Sequence, residues 1–561
     1  MRLYKIFFSI TAFLILLSSE VDAQGSPKDF NQIIAQFNNG LLSANDASLQ
    51  MKALFEGDGI YKCGTPIQSF VYKHRNEIST KWFEEQKNKS SLASYISASG
   101  KFELTYETTG GDAVPTADTN TNGVPDYVER AAEAADFSYQ KQIQELGFPD
   151  PIPSGATYNL SFRDFGFYGA TRTDNSQAAG TRIIIENDFD GFPPNDDPEG
   201  DQYGALKVTI AHELKHAIQY VQNDFSGDSD QWAEMDATML EEVTYDEVND
   251  YYNYLDGSED NPFNNPGVSV IPGFNQVNYE DVTWALFFSE FYDELFWTDV
   301  WKRIEDSTTD LALLVAVKRE VEKRGDDFGR VLSELYLWHY SSGVNAVAGY
   351  GFDEAVNYPN PRIEAQYLNV SEAFIDSVSI SRFASNYYEI LSSNEDGQVS
   401  LHLESEIPFI QLGVNVFFKN GTSNQRFYMT DESGEANIFM PYNWRSIDKV
   451  GLVITNTQFN EGNIYTFRAS SETPDRIELA QNYPNPFDLD TIISVTLKTE
   501  NRIKLEVYDY TGRFISKIFE GTLSAGSYEI PFNASNLASG VYLYKLETGG
   551  KSKFRTMTII N

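Results

Sequence analysis

The sequence predicts a multidomain chain in which a mixed α+β region is followed by two β-rich ones. Three observations carry this. The chain has 561 residues, more than the roughly 250–300 that one hydrophobic core serves. Apolar residues recur at helical spacing around 208–218, 231–242 and 281–342, while Lys101–Tyr106 and Thr181–Glu186 alternate or run as short strands. After about Gln366 the period changes to two, as in Gln398-Val399-Ser400-Leu401-His402-Leu403, with Gly, Asn and Ser at the turns. His402 reads as an ordinary strand residue there.

From the N-terminus, residues 1–23 have the pattern of a secretory signal peptide: Arg2 and Lys5, an apolar run from Ile6 to Leu17, and Val21-Asp22-Ala23 as a small-residue cleavage site. Other apolar runs are too short to span a bilayer, so no transmembrane helix is expected once the signal is removed. Residues 24–95 are mixed helical and polar and end in Lys87-Asn88-Lys89-Ser90-Ser91, the composition of a cleavable linker. They read as a propeptide. The sole cysteine, Cys63, falls within it and excludes an intrachain disulfide. Lys and Arg number 42 against 82 Asp and Glu, a formal charge of −40. That surface repels nucleic acid and anionic lipid and suits divalent cations.

Residues 96–366 form the next expected domain. Asp118-Thr119-Asn120-Thr121-Asn122-Gly123-Val124-Pro125-Asp126-Tyr127-Val128-Glu129 has the spacing of a twelve-residue calcium loop. Asp118, Asn120, Asn122 and Asp126 supply side-chain oxygens, Val124 a backbone carbonyl and Glu129 the closing carboxylate, with Gly123 at the turn. A strand precedes the loop and a helix follows it, so a paired EF-hand is not expected.

The pentapeptide His212-Glu213-Leu214-Lys215-His216 lies within apolar Val208 to Ile218. Residues four apart share a helix face, so His212 and His216 can present two imidazole nitrogens to one zinc ion. Glu213 then stands beside the metal, placed to take a proton from water that the metal activates. Lys215 is expected to reach solvent from the helix flank. A third ligand is required, and Glu234, eighteen positions after His216 on a second helical stretch, is the candidate. Glu241, two turns further on, is placed to orient a ligand imidazole. No third histidine follows closely, which argues against a three-histidine site.

HELKHAIQY, WAEMDATMLEE and VTYDEVNDYYNYL together resemble the gluzincins, and most closely a family of secreted bacterial metalloproteases with a C-terminal sorting domain. The resemblance covers roughly Cys63 to Gly343. It implies a zincin-like fold and a zinc metalloendopeptidase acting on protein or peptide substrates, with Glu213 as general base. It also implies an oxyanion-stabilising Tyr or His, for which Tyr279 is the candidate and Tyr245 and His339 match by type alone. An antiparallel edge strand above the metal is implied too, a role for which Thr181–Glu186 is well placed. As a lone thiol in the expected propeptide, Cys63 resembles the cysteine-switch segments of secreted metalloproteases, its thiolate taking the open metal position and making the precursor a zymogen. A small buried hydrophobe is the plain reading of the same residue. Two other readings compete: a catalytically inactive surface adhesin, against which the intact His212, Glu213 and His216 weigh, and a zinc hydrolase of a non-peptide substrate.

Residues 367–472 are expected to form a β-sandwich. Residues 473–561 contain Ala480-Gln481-Asn482-Tyr483-Pro484-Asn485-Pro486-Phe487, Lys504 to Asp509 with Tyr510-Thr511-Gly512-Arg513, and Leu537 to Leu546. These motifs resemble the C-terminal sorting domain of the bacterial type IX secretion system. That likeness implies a small immunoglobulin-like sandwich, the secretion machinery as partner, and release or surface anchoring after passage through periplasm and outer membrane.

Overall fold

The computed structural model describes residues 27–55, 59–78, 92–225, 232–256, 261–268, 279–305, 312–391, 397–459, 462–472, 477–523 and 526–560. The signal-peptide reading over 1–23 and the linker reading over 87–91 lie outside them. The chain is multidomain and divides into two compact units, one made chiefly of residues up to Asp250 and one of residues from Tyr251 onward. The division falls inside the 96–366 stretch.

The first unit is built on a six-stranded mixed sheet. Its strands are β1 (Tyr61–Cys63), β2 (Ala93–Ile96), β3 (Phe102–Tyr106), β4 (Tyr158–Arg163), β5 (Phe167–Thr173) and β6 (Thr181–Glu186), in the order β1-β5-β6-β4-β3-β2. Strands β3, β4 and β6 run parallel to one another, β5 runs antiparallel to β6, and β1 adds parallel to β5 through Tyr61 opposite Phe167 and Cys63 opposite Gly169. The expectation that Thr181–Glu186 forms the edge is therefore incorrect. Ile183, Ile184 and Ile185 are all buried, and a continuous apolar run marks a strand covered on both faces. The strand that borders the edge is β5, and β1 covers it.

Helices α1 (Pro27–Asn38), α2 (Ala44–Phe55) and α3 (Thr65–Lys73) precede and follow β1. Ile33, Met51, Ile67 and Phe70 of these helices share a core with Phe165, Phe167 and Ile184. Helix α4 (Asp126–Tyr139), continued by a π-helical turn at Gln140–Glu145, packs with α5 (Asp201–Asn223) across the main core. Every residue of α5 from Ala205 to Gln219 except Lys207 is sequestered from solvent. A helix apolar on all sides belongs inside a protein, and here the sheet lies on one side and α4 with α6 (Ala233–Thr244) on the other.

The second unit contains helices α7 (Tyr252–Asp256), α8 (Val282–Phe291), α9 (Phe296–Glu305), α10 (Leu313–Lys323) and α11 (Phe328–Tyr340). Two antiparallel-rich sheets follow, four- and five-stranded over Ala365–Glu472, whose alternating inner residues, among them Leu401, Val414, Trp444 and Leu452, share one core. Last come a three- and a four-stranded sheet over Glu478–Ile559, closed around Ile493, Val507 and Leu546. Among the described residues no helix is long and apolar enough to cross a membrane.

Candidate metal centre

Helices α5 and α6 and strand β1 bring four donor groups together: Cys63, His212, His216 and Glu234. His212 Nε2 lies 3.0 Å from His216 Nε2 and 3.2 Å from Glu234 Oε2, His216 Nε2 lies 3.2 Å from Glu234 Oε1, and Cys63 Sγ lies 3.4 Å from His216 Nε2. Zinc–ligand bonds of about 2.0–2.3 Å at tetrahedral angles give edges of roughly 3.3–3.6 Å. Three of these four separations are a few tenths of an ångström shorter than such edges, and the nitrogen, oxygen and sulfur donors are of the types that zinc takes.

Glu213 stands against this cluster, fully buried. Its Oε1 accepts from the Cys63 thiol at 3.2 Å, and its Oε2 accepts from the Thr65 hydroxyl at 2.9 Å. Thr171 Oγ1 lies 2.8 Å from the same Oε2 and 2.7 Å from the Glu213 carbonyl oxygen. This close approach needs Gly169: a Cβ there would sit 2.7 Å from Thr209 Cγ2 and 2.8 Å from Glu213 Cγ. Strand β5 thus lies directly on the HELKH turn. The N-terminal segment uses its edge, with Tyr61 N donating to Gly166 O, Gly64 N to Gly169 O, and Thr171 N to Thr65 Oγ1.

A buried layer of partners fixes the imidazoles from behind. His212 Nδ1 is 2.7 Å from Glu241 Oε1, and His216 Nδ1 is 2.7 Å from Gln219 Oε1. Gln219 is itself held, donating through Nε2 to Ala233 O at 3.0 Å and Asp236 Oδ2 at 3.1 Å. Glu241 Oε2 meets the Lys62 ammonium at 2.8 Å. Lys215 does not reach solvent as expected. It is fully buried, 3.1 Å from Asp236 Oδ2 and 3.6 Å from the centre of the Phe148 ring, because α6 and the segment after α4 cover that flank of α5. Gln219, Asp236, Thr65, Thr171 and Gly169 carry no motif in the sequence. They are found only once the elements pack.

The electrostatics favour a cation at the cluster. Burial alone lowers the His212 pKa, but hydrogen bonds and charges from Glu234 and Glu241 outweigh it and raise the pKa to about 10. Burial opposes ionisation of Glu234, yet His216 and His212 hold its carboxyl well below the usual range. Burial, with Glu213 and Glu234 beside it, pushes the Cys63 thiol well up. Glu234 and Glu241 in a dry pocket thus favour positive charge on His212, and a divalent ion would answer the same field.

The Asp118–Glu129 loop is also assembled. Asn122 N and Gly123 N donate to the Asp118 carboxylate at 3.1 and 2.9 Å, and Val124 N donates to Asn122 Oδ1 at 2.8 Å. Gly123, at φ 87°, lets the chain turn. Asn120 Nδ2 and Asn122 Nδ2 donate to Glu129 Oε2 and Oε1 at 2.8 and 2.7 Å. The amide oxygens of both face the loop's own backbone, accepting from Asn122 N at 3.0 Å and Val124 N at 2.8 Å. Asp126 opens α4 and accepts from Thr119 N at 3.0 Å.

Of the oxyanion candidates, Tyr245 lies in the first unit, where its hydroxyl donates to Ala134 O at 3.1 Å and its ring joins the main core. Tyr279 belongs to the second unit, in a 3-10 turn with its ring 5.2 Å from that of Tyr254. His339, in the same unit, is buried on α11, 2.9 Å from Thr283 Oγ1, and burial lowers its pKa to about 3.

No curated protein matches this chain in sequence. Among solved structures it is similar over 33% of its length to a β-1,2-glucanase from Parabacteroides distasonis, with 9% identity and a TM-score of 0.14, covering 32% of that chain. Over 31% of its length it is similar to apo β-glucuronidase 3 of Bacteroides uniformis, with 14% identity and a TM-score of 0.12, covering 26% of that chain. It is also similar over 36% of its length to a DUF4785 family protein from Legionella pneumophila, with 7% identity and a TM-score of 0.11, covering 70% of that chain. The chain thus spans about a third or less of the two glycosidases, and superpositions this weak carry no argument about the fold or the reaction. Residues 481–561 match the family described as the secretion system C-terminal sorting domain. Through this C-terminal domain the protein is a secreted or cell-surface protein, exported across the outer membrane by the type IX secretion system.

Proposed function

We propose that the protein is a secreted zinc endopeptidase made as a zymogen. The observation that supports this most is the gathering of the Cys63, His212, His216 and Glu234 donor atoms within 4.8 Å of one another with the Glu213 carboxylate beside them. His212, His216 and Glu234 would hold the zinc, which when bound acidifies water and polarises a peptide carbonyl. Glu213 takes the proton of the attacking water and delivers it to the leaving amine. Thr171 keeps the carboxylate aimed. Strand β5 offers its edge to an extended peptide once Tyr61–Thr65 has left. In the precursor Cys63 fills the fourth metal position and Thr65 occupies Glu213. We read the Asp118–Glu129 loop as a calcium site that orders the segment leading into α4.

The test combines metal analysis with casein digestion by the purified mature protein. One zinc per chain is expected, with digestion lost on chelation and in Glu213→Gln, which keeps its zinc because no ligand is removed. Casein digestion by Glu213→Gln at the wild-type rate would overturn the reading.

A further inference from the structure

We propose that the acidic pocket occupied by Lys62 in the precursor is the mature enzyme's recognition site for a lysine or arginine side chain flanking the bond to be cleaved, an inference that rests on the peptidase reading above. Lys62 Nζ lies 2.8 Å from Glu241 Oε2 and 2.5 Å from Asp250 Oδ2, and 4.4 Å from the centre of the Tyr168 ring. Tyr168 in turn donates its hydroxyl to Asp250 Oδ1 at 3.2 Å. The side chains of Lys62, Glu241 and Asp250 are at most 2% exposed. Two acidic groups and an aromatic face around a buried ammonium form a receptor for a long cationic side chain.

The register gives the pocket its role. Lys62 enters on β1, the strand laid along the β5 edge, one residue before Cys63, whose sulfur reaches the metal ligands. A side chain in this pocket is therefore adjacent to the residue at the reacting centre. When residues 24–95 are removed, Lys62 leaves with them, and Glu241 and Asp250 lose the ammonium that lies between their carboxylates. An extended peptide adding to the same edge restores that cation if it carries Lys or Arg at the corresponding position, whereas an acidic residue there meets like charge. The direction in which the peptide runs along β5 decides whether the basic residue lies on the amino or the carboxyl side of the cleaved bond.

Digestion of unfolded casein by the zinc-loaded mature protein, with the new termini read by mass spectrometry, tests this directly. Lys and Arg are expected at one fixed position flanking the cut about tenfold above their frequency in casein, the size of one charge-assisted contact. Digestion without any basic enrichment overturns the pocket assignment while leaving the peptidase reading intact. No digestion at all overturns both. Asp250→Asn should remove the enrichment from the sites it still cuts, and a preference unchanged by that substitution also overturns the assignment. Because that variant alters a buried site, a second measurement uses the native enzyme: two synthetic peptides carrying a cleaved sequence and differing only by lysine or norleucine should differ about tenfold in kcat/KM, and equal values refute the pocket.

Discussion

At Glu213 three hydroxyl or thiol groups converge on one carboxylate, and two of them, Cys63 and Thr65, come from the segment expected to be removed. If Cys63 is the latch, Cys63→Ala should raise the precursor's casein activity before any cleavage. A variant precursor as silent as the wild type would assign latency to steric cover by residues 24–95. Two of the three glutamates of α6, Glu234 and Glu241, differ by position in the same way. Glu234 touches both imidazole Nε2 atoms, whereas Glu241 touches His212 only through Nδ1. Glu234→Ala should therefore cost more zinc affinity than Glu241→Ala, for which a loss of about 10–100-fold is expected. Competition with a chromogenic chelator measures both, and the opposite order would make Glu241 the ligand. His212 and His216 are legible because residues four apart share a helix face, and Glu213 because it follows His212 directly on the same turn. Gln219 and Asp236 are not, since their roles depend on how α6 docks on α5, which local periodicity does not encode. Lys215 was misread for that reason: a lysine on a helix flank has no solvent to reach when a second helix brings Asp236 to it.

Among the elements, the Asp118–Glu129 loop folds through contacts between side chains and near neighbours in the chain. Calcium at a hundredfold excess over its Kd should stabilise the protein by about 2.7 kcal/mol if it binds only the folded form. Asp118→Ala combined with Glu129→Ala should remove that stabilisation. A melting temperature that calcium leaves unmoved in the wild type would dismiss the site. Strand β6 was harder to place. Its apolar run identifies a strand but not its neighbours, and nothing local shows that β4 and β5 flank it or that residues 61–63 in turn cover β5. At the end of β6, burial, opposed by the backbone amides of Phe165 and Asn187 and assisted by Asp164 and Asp188, raises the Glu186 pKa to about 8. The folded protein thus keeps a proton that the unfolded chain releases near the ordinary value of 4.5. Stability contributed by that proton is present at low pH and is lost as pH rises from there to about 8. Urea unfolding at pH 5 and pH 8 should show a smaller pH difference for Glu186→Gln than for the wild type. Identical differences would show that the carboxylate is ionised in the native state throughout.

At the scale of the whole molecule, the C-terminal sheets over Glu478–Ile559 close around their own core, so their removal should leave the rest of the chain folded. Deleting residues 474–561 is expected to strand the protein in the periplasm with its casein activity, after prosegment removal, intact. Export of the truncated chain at the normal level would contradict the sorting assignment. The succession of a mixed α+β region and β-rich regions was legible from the change in hydrophobic period. The division near Asp250 was not, since the helices on either side of it share one periodicity. Strand β1 has one further consequence. A bare sheet edge is a template on which other chains stack, and β5 is bordered by such an edge only after β1 has gone. If residues 24–95 are removed as proposed, they also serve, until they leave, as a cover on that edge against self-association. Acidic residues outnumber basic ones 82 to 42 over the full chain, and colloidal repulsion of that sign opposes the pairing of uncapped edges once the cover is gone.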